Sequence, residues 1–217
     1  MTMLGGVPYV LRVAGVSELG KGVRRSSAQT REHILAVAAE LFYWDGIRAT
    51  GVDAVAARAE VAPTTLYRLF ASKDDLVAAY VQRCSASYRE RLTEVSSPSS
   101  GAPRERILAV FDIFADEALS GSCRGCPFLM VLAEFPDPHS AAHLQAVAHK
   151  RWLRALLRRL VRDLARQTPV KTPSRLADQL AVIAEGIYGS AQSLGAAGPA
   201  RQGRACAEML LDAATCR

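Results

Sequence analysis

The stretch VAPTTLYRLFASKDDL, residues 61–76, places two apolar residues, Leu66 and Phe70, one helical turn apart. Around the rest of that turn stand Thr64, Thr65, Tyr67 and Arg68, all able to donate hydrogen bonds, with no acid among them. Pro63 suits a first helical position because its fixed φ and missing N–H cost nothing there. Ser72 with Asp75 reads as a capping box that opens a new helix. The helix between is therefore about seven residues long, too short to be stable alone. It must be held through Leu66 and Phe70, which leaves a donor-rich face outward. A small exposed helix with no partner is the plain alternative. DNA is the better match, because phosphates and groove edges are rich in acceptors.

The flanking sequence supplies the rest of a helix-turn-helix. Ile34, Leu35, Ala38, Leu41 and Phe42 form one helical stripe that ends at Gly46. Thr50 with Asp53 reads as another capping box, followed by Val52, Val55, Ala56 and Ala59 as a buried face. Three helices of about 17, 9 and 7 residues, the last two joined by a tight turn, describe that unit. Its third helix would enter the major groove.

Downstream, Ala, Leu, Arg and Glu dominate, and strand signals are weak. The spacing predicts helices over 73–95, 103–119, 127–135, 140–167, 174–194 and 200–214, separated by Ser, Gly and Pro clusters. The expected fold is all-α, with about nine helices and no strands.

Residues 30–81 resemble the DNA-binding domain of the TetR family of transcriptional regulators. The marks are the helix ending before Gly46, Thr50, AARAEVA into the turn, TLYRLF and SKDDL. RGCPFLMVLAEFPD, 124–137, is similar to a stretch of some members. The resemblance implies that Thr50, Tyr67 and Lys73 bond phosphates, and that Pro63, Thr64, Thr65 and Arg68 lie against bases or sugar edges. Arg24 and Arg25 would form an arm on the DNA backbone or in the minor groove. Three departures stand out: Glu60 where the family has Gly, Ala62 where it has Ser, and Leu69 where a polar residue is common. Glu60 at φ > 0 would carry about 1–2 kcal/mol of strain.

The totals agree. A chain of 217 residues with net charge +6 and pI near 9.3 favours a polyanionic partner. Five cysteines, an odd number, and no secretion signal point to a reducing, cytoplasmic setting. No stretch approaches the roughly 20 apolar residues of a membrane span.

The domain division expected is an arm over 1–26, a helix-turn-helix DNA-binding domain over 27–80, and an effector-binding and dimerisation domain over 81–217. Two-fold operators need a dimer. The stripe Leu176, Leu180, Ile183, Ile187 and Leu194, interleaved with small residues such as Gly189, marks 174–214 as the dimer face, with Met209 from the last helix. The same stripe could equally be core. Phe111, Phe114, Phe128, Trp152 and Tyr188 are the candidate lining of an effector pocket, against the plain reading of core aromatics.

Glu134 is read as a hydrated acid at a helix end. Lys150, with Arg151 to Arg166, is read as the solvated face of an amphipathic helix. Cys123 and Cys126 form a CxxC pair without a βαβ context or further zinc ligands, so they read as structural. His139 and His143 flank a proline-rich loop, and neither a metal nor a cofactor is expected. The reading is a homodimeric regulator that represses at a palindromic double-stranded operator and is released by a small-molecule effector. The alternative is a thiol-dependent redox protein or enzyme using Cys123 and Cys126.

Overall fold

The computed structural model describes residues 25–215, within which there are nine α-helices and no strands. They are α1 (Ser27–Asp45), α2 (Val52–Arg58), α3 (Pro63–Leu69), α4 (Lys73–Val95), α5 (Pro103–Leu119), α6 (Pro127–Glu134), α7 (Ala141–Ala165), α8 (Pro173–Leu194) and α9 (Gly203–Thr215). The expected all-α fold is what the chain adopts. Pro98–Ser100 and Pro199–Gln202 add short 3-10 turns where the sequence reads as loop or helix start.

Two compact units form. The first holds residues 25–86 and 127–146, and the second 87–126 and 147–215. In the first, α1 begins with a capping box: Ser26 Oγ accepts from Gln29 N at 3.2 Å, while Gln29 Oε1 accepts from Ser26 N at 2.8 Å. Its inward face, Ile34, Leu35, Ala38 and Phe42, is buried, and Phe42 meets Tyr80 of α4 edge to face at 5.5 Å. Leu66 and Phe70 are buried, as are Val55, Ala56 and Ala59 of α2. This burial is what stabilises two seven-residue helices.

The turn between α2 and α3 is a Schellman motif. Val61 N donates to Ala56 O at 3.0 Å and Glu60 N to Ala57 O at 3.1 Å. That pattern requires a left-handed residue at Glu60, which has φ 53° as expected. The start of α2 differs from the sequence reading. Gly51 is the N-cap and makes no side-chain cap bond. Thr50 hydroxyl instead donates back to Gly46 O at 2.7 Å, so the Thr50–Asp53 capping box does not form.

The second unit packs α5, α8 and α9 together through Ile107, Phe111, Phe114, Leu180, Ile187, Ala207 and Leu211. Gly203 lets α9 approach α8, since a Cβ there would collide with the Ile187 side chain.

Candidate nucleic-acid interface and interior polar clusters

On α3, Pro63, Thr64, Tyr67 and Arg68 are exposed, and Thr65 is half-buried beside Leu66. Tyr67 is 51 % exposed, far beyond what a tyrosine contributing to the core would show. Among the described residues no carboxylate pairs with Arg68. Pro63 occupies the first turn, and Ala62, its N-cap, offers no side-chain acceptor. The face is thus a short array of hydroxyls and one guanidinium on the N-terminal turns of α3, where the Thr65 and Leu66 N–H groups already donate to Ala62 O at 2.9 and 3.3 Å.

Lys73 is half-buried in the first turn of α4, and its Nζ donates to Arg48 O at 3.2 Å. That bond fixes where the ammonium lies while leaving two N–H donors. Thr50 is buried at 5 % exposure, and its hydroxyl proton is committed to Gly46 O. A phosphate bond from that hydroxyl would require breaking this contact. Arg25 is exposed just ahead of α1, and Arg24 lies outside the described residues.

The aromatic set divides. In the second unit, Phe111 meets Phe114 edge to face at 5.9 Å, and Phe114 meets Tyr188 at 5.8 Å. Trp152 is half-buried and contacts His149 at 5.8 Å. Phe128 is buried in the first unit. A groove of about 660 Å³ is lined by Arg158, Asp178, Val182 and Leu210 among others, and by none of these aromatics.

Beside the rings lies a polar cluster that the sequence reading missed. Glu117 accepts from Tyr88 Oη at 2.8 Å and from Tyr188 Oη at 2.9 Å, and the two hydroxyls are 3.2 Å apart. Burial raises the Glu117 carboxyl above its ordinary range, against the pull of the two hydroxyls. Both tyrosines are pushed well above theirs, mainly by burial. His149, between Tyr88 and Trp152, is lowered to about 3 by burial, with Lys150 and Arg89 adding to it. The three polar residues stand 29 to 100 positions apart, and only the aromatic letters signalled them.

Lys150 is a correction. It is not on a solvated face: its Nζ donates to Glu185 at 2.6 and 2.8 Å and to Cys126 Sγ at 3.2 Å. The neighbouring arginines are also engaged, Arg154 and Arg158 with Asp178 and Arg166 with Asp163. Among the described residues no group of three or more His, Cys, Asp or Glu side chains could hold a metal. His143 Nδ1 lies 2.8 Å from Phe135 O and serves the loop after α6.

The expected dimer residues also divide. Leu180 and Ile187 are buried in the chain's own core, so they are not available to a partner. A stripe of apolar residues on α8 has a covered side and an open side, and these two are on the covered one. Ile183 is half-buried, Gly189 is exposed and Met209 is 70 % exposed. Val182, 71 % exposed, belongs with the open side although the sequence stripe omitted it. Glu134 is likewise not a hydrated helix end, since its carboxylate accepts from the Ile47 and Arg48 N–H groups.

Comparison with known proteins places this geometry. A family model for bacterial regulatory proteins, tetR family, matches residues 34–80. The HTH-type transcriptional repressor NemR of Escherichia coli K12 is 31 % identical over 115 residues, which is 52 % of this chain and 58 % of NemR. The match thus spans little more than half of that curated relative. A TetR-family transcriptional regulator from Streptomyces coelicolor superimposes with TM-score 0.80 at 27 % identity, covering 87 % of this chain and 97 % of its own. A TetR transcriptional regulator from Streptomyces avermitilis gives TM-score 0.73 at 32 % identity over 87 % and 99 %.

Proposed function

The chain belongs to the TetR family of bacterial regulatory proteins, and from that premise we propose that it binds operator DNA as a homodimer and represses transcription until a small effector releases it. The observation that carries the reading is the outward face of α3. Its apolar residues are buried, while Thr64, Tyr67 and Arg68 are exposed with no carboxylate neutralising the guanidinium among the described residues. Arg68 reads a base edge, with Pro63, Thr64 and Thr65 beside it. Tyr67 and Lys73 hold phosphates, and Arg24 and Arg25 reach the backbone as an arm. Thr50 contributes through the loop it braces. No helix among the described residues is long and apolar enough to cross a membrane, and a DNA regulator works in the cytoplasm.

The domain roles follow: 27–80 for DNA, 81–217 for effector and dimer. The open side of α8 and α9, with Ile183, Gly189 and Met209 joined by Val182, is the proposed two-fold contact. It would set two recognition helices roughly 34–36 Å apart on a palindromic site. Phe111, Phe114, Trp152 and Tyr188, all in the second unit, remain the proposed effector lining, with Glu117 as a polar partner for a ligand that displaces a tyrosine hydroxyl. The thiol-enzyme alternative is set aside, because the matching family and each relative named above are regulators of transcription.

The direct test is a nuclease-protection map on the region upstream of its own gene. A symmetric protected segment supports the proposal, and absence of protection at low salt there and across a genomic library rejects it. Gly189→Arg tests the dimer. Among the described residues, nothing beyond its chain neighbours and its own helix backbone lies within 4 Å of where its Cβ would be, so the monomer accommodates it. The variant should sediment as a monomer and lose operator binding, whereas a normal dimer with normal affinity moves the interface elsewhere.

A further inference from the structure

The segment between α1 and α2 leaves backbone N–H groups without helical partners. Two consecutive ones are taken by a single carboxylate from far along the chain. Ile47 N donates to Glu134 Oε1 at 3.0 Å, and Arg48 N donates to Glu134 Oε2 at 2.6 Å. The Glu134 carbonyl accepts from Arg48 Nε at 2.7 Å, and the same guanidinium lies 5.6 Å over the Phe135 ring. From the loop, the contacts continue to the candidate interface: Arg48 O accepts from Lys73 Nζ at 3.2 Å. Thr50 closes the segment by directing both its hydroxyl and its N–H to Gly46 O, at 2.7 and 3.2 Å.

Helix electrostatics argue that Glu134 is there for the loop. It is the last residue of α6 and the only charged side chain in PFLMVLAE. A negative charge at a helix C-terminus is unfavourable, because the macrodipole is negative there. What offsets this is a pair of charge-assisted bonds to the loop N–H groups. Two successive contacts, Glu134 to Arg48 and Arg48 O to Lys73, then run from α6 to the ammonium expected to meet DNA.

We propose that Glu134 is a positioning residue for DNA binding, which sets the pose of the Lys73 ammonium through the Gly46–Thr50 loop. This rests on the DNA-binding reading and adds a residue outside the helix-turn-helix to it. Glu134→Gln keeps the size of the side chain but replaces one acceptor oxygen with an NH₂ group, so one loop N–H loses its acceptor. Lys73→Ala removes the group that the loop positions.

The test titrates the full chain, Glu134→Gln, Glu134→Asp, Lys73→Ala and the Glu134→Gln, Lys73→Ala double variant. The probes are a duplex from the region upstream of its own gene and a scrambled duplex, each across a salt series. Amide exchange at Ile47 and Arg48 is followed in parallel. Glu134→Gln should weaken both duplexes about tenfold at low salt and reduce the salt slope by about one per half-site. The amides of Ile47 and Arg48 should exchange faster, and Glu134→Asp, which keeps the charge, should lie between Gln and the parent. On the Lys73→Ala background, Glu134→Gln should cost no more than about a further twofold, because both act through one ammonium. Unchanged affinity in Glu134→Gln, Asp no better than Gln, or losses that simply multiply would each overturn the proposal. A parent chain that binds neither duplex overturns the DNA-binding reading itself, and this proposal with it.

Discussion

Arg68 of the first unit and a group of arginines in the second are used in opposite ways, although the first unit also pairs Arg83 with Glu32 and Arg58 with Glu40. In the first, Arg68 stands exposed on α3 with no carboxylate partner among the described residues. In the second, Arg104 holds Glu208 and Asp212, Arg204 holds Asp112 and Glu208, and Arg154 and Arg158 share Asp178. Arg106 is buried and holds Asp163 and the Ser96 carbonyl. A guanidinium already facing a carboxylate offers little to a polyanion, so a net charge of +6 does not by itself locate a DNA surface. What marks the proposed one is a guanidinium without a carboxylate partner, among the described residues, on a helix braced from behind.

The interiors differ as well. The core under α3 is apolar, built from Leu66, Phe70, Val55 and the Phe42–Tyr80 pair. The second unit buries Glu117 with two tyrosines, and His149 between two rings. The contrast predicts which substitutions unfold a unit and which make it sensitive to pH. Leu66→Ala should have the largest effect, costing about 2–5 kcal/mol through lost burial and a cavity. Denaturant unfolding checks it, and a loss under about 1 kcal/mol would mean that α3 is not anchored through that residue.

His149 gives the intermediate effect and should act only in acid. Its folded pKa of about 3 lies below the ordinary value of 6.5, so the folded state prefers the neutral ring. The stability this represents is fully present above pH 6.5 and is lost as pH falls toward 3. His149→Phe should therefore flatten the stability profile over that window, by no more than about 1.4 kcal/mol for each pH unit below 6.5. Parallel profiles for parent and variant would show that the buried ring does not titrate this way.

The smallest effect belongs to the turn. Glu60→Gly relieves left-handed strain of about 1–2 kcal/mol but costs about 0.5–1 kcal/mol in unfolded-chain entropy. The net should be neutral to about 1 kcal/mol stabilising, read from the denaturation midpoint. A clear loss would mean that the Glu60 side chain contributes something its backbone conformation does not reveal.

Helix positions were legible because their signals are local. Pro63, Ser72, Pro103 and Pro127 open helices or cap their starts, Gly46 and Gly195 end them, and Glu60 occupies a position that wants glycine, whereas the Ser26 cap of α1 went unread. The donor face of α3 was legible for the same reason. What sequence could not show was which side of a stripe its own chain covers. Leu180 and Ile187 are covered by α5 and α9, while Val182 and Met209 are open, although all are apolar. Nor could it pair residues distant in the chain. Glu134 meets Ile47 and Arg48 across 87 and 86 positions, and Lys150 meets Cys126 and Glu185 across 24 and 35.

The central claim is that the outward face of α3 reads DNA while Lys73 only holds it. The most direct measurement compares the parent chain, Arg68→Ala and Lys73→Ala on the protected upstream duplex and on scrambled DNA, across a salt series. Arg68→Ala should lose roughly 1–3 kcal/mol per half-site on the protected duplex and little on scrambled DNA. Lys73→Ala should weaken both alike and lower the salt slope by about one per phosphate contact. If Arg68→Ala weakens scrambled DNA as much as the protected duplex, the guanidinium is a phosphate clamp and the account of α3 as the reading helix is contradicted.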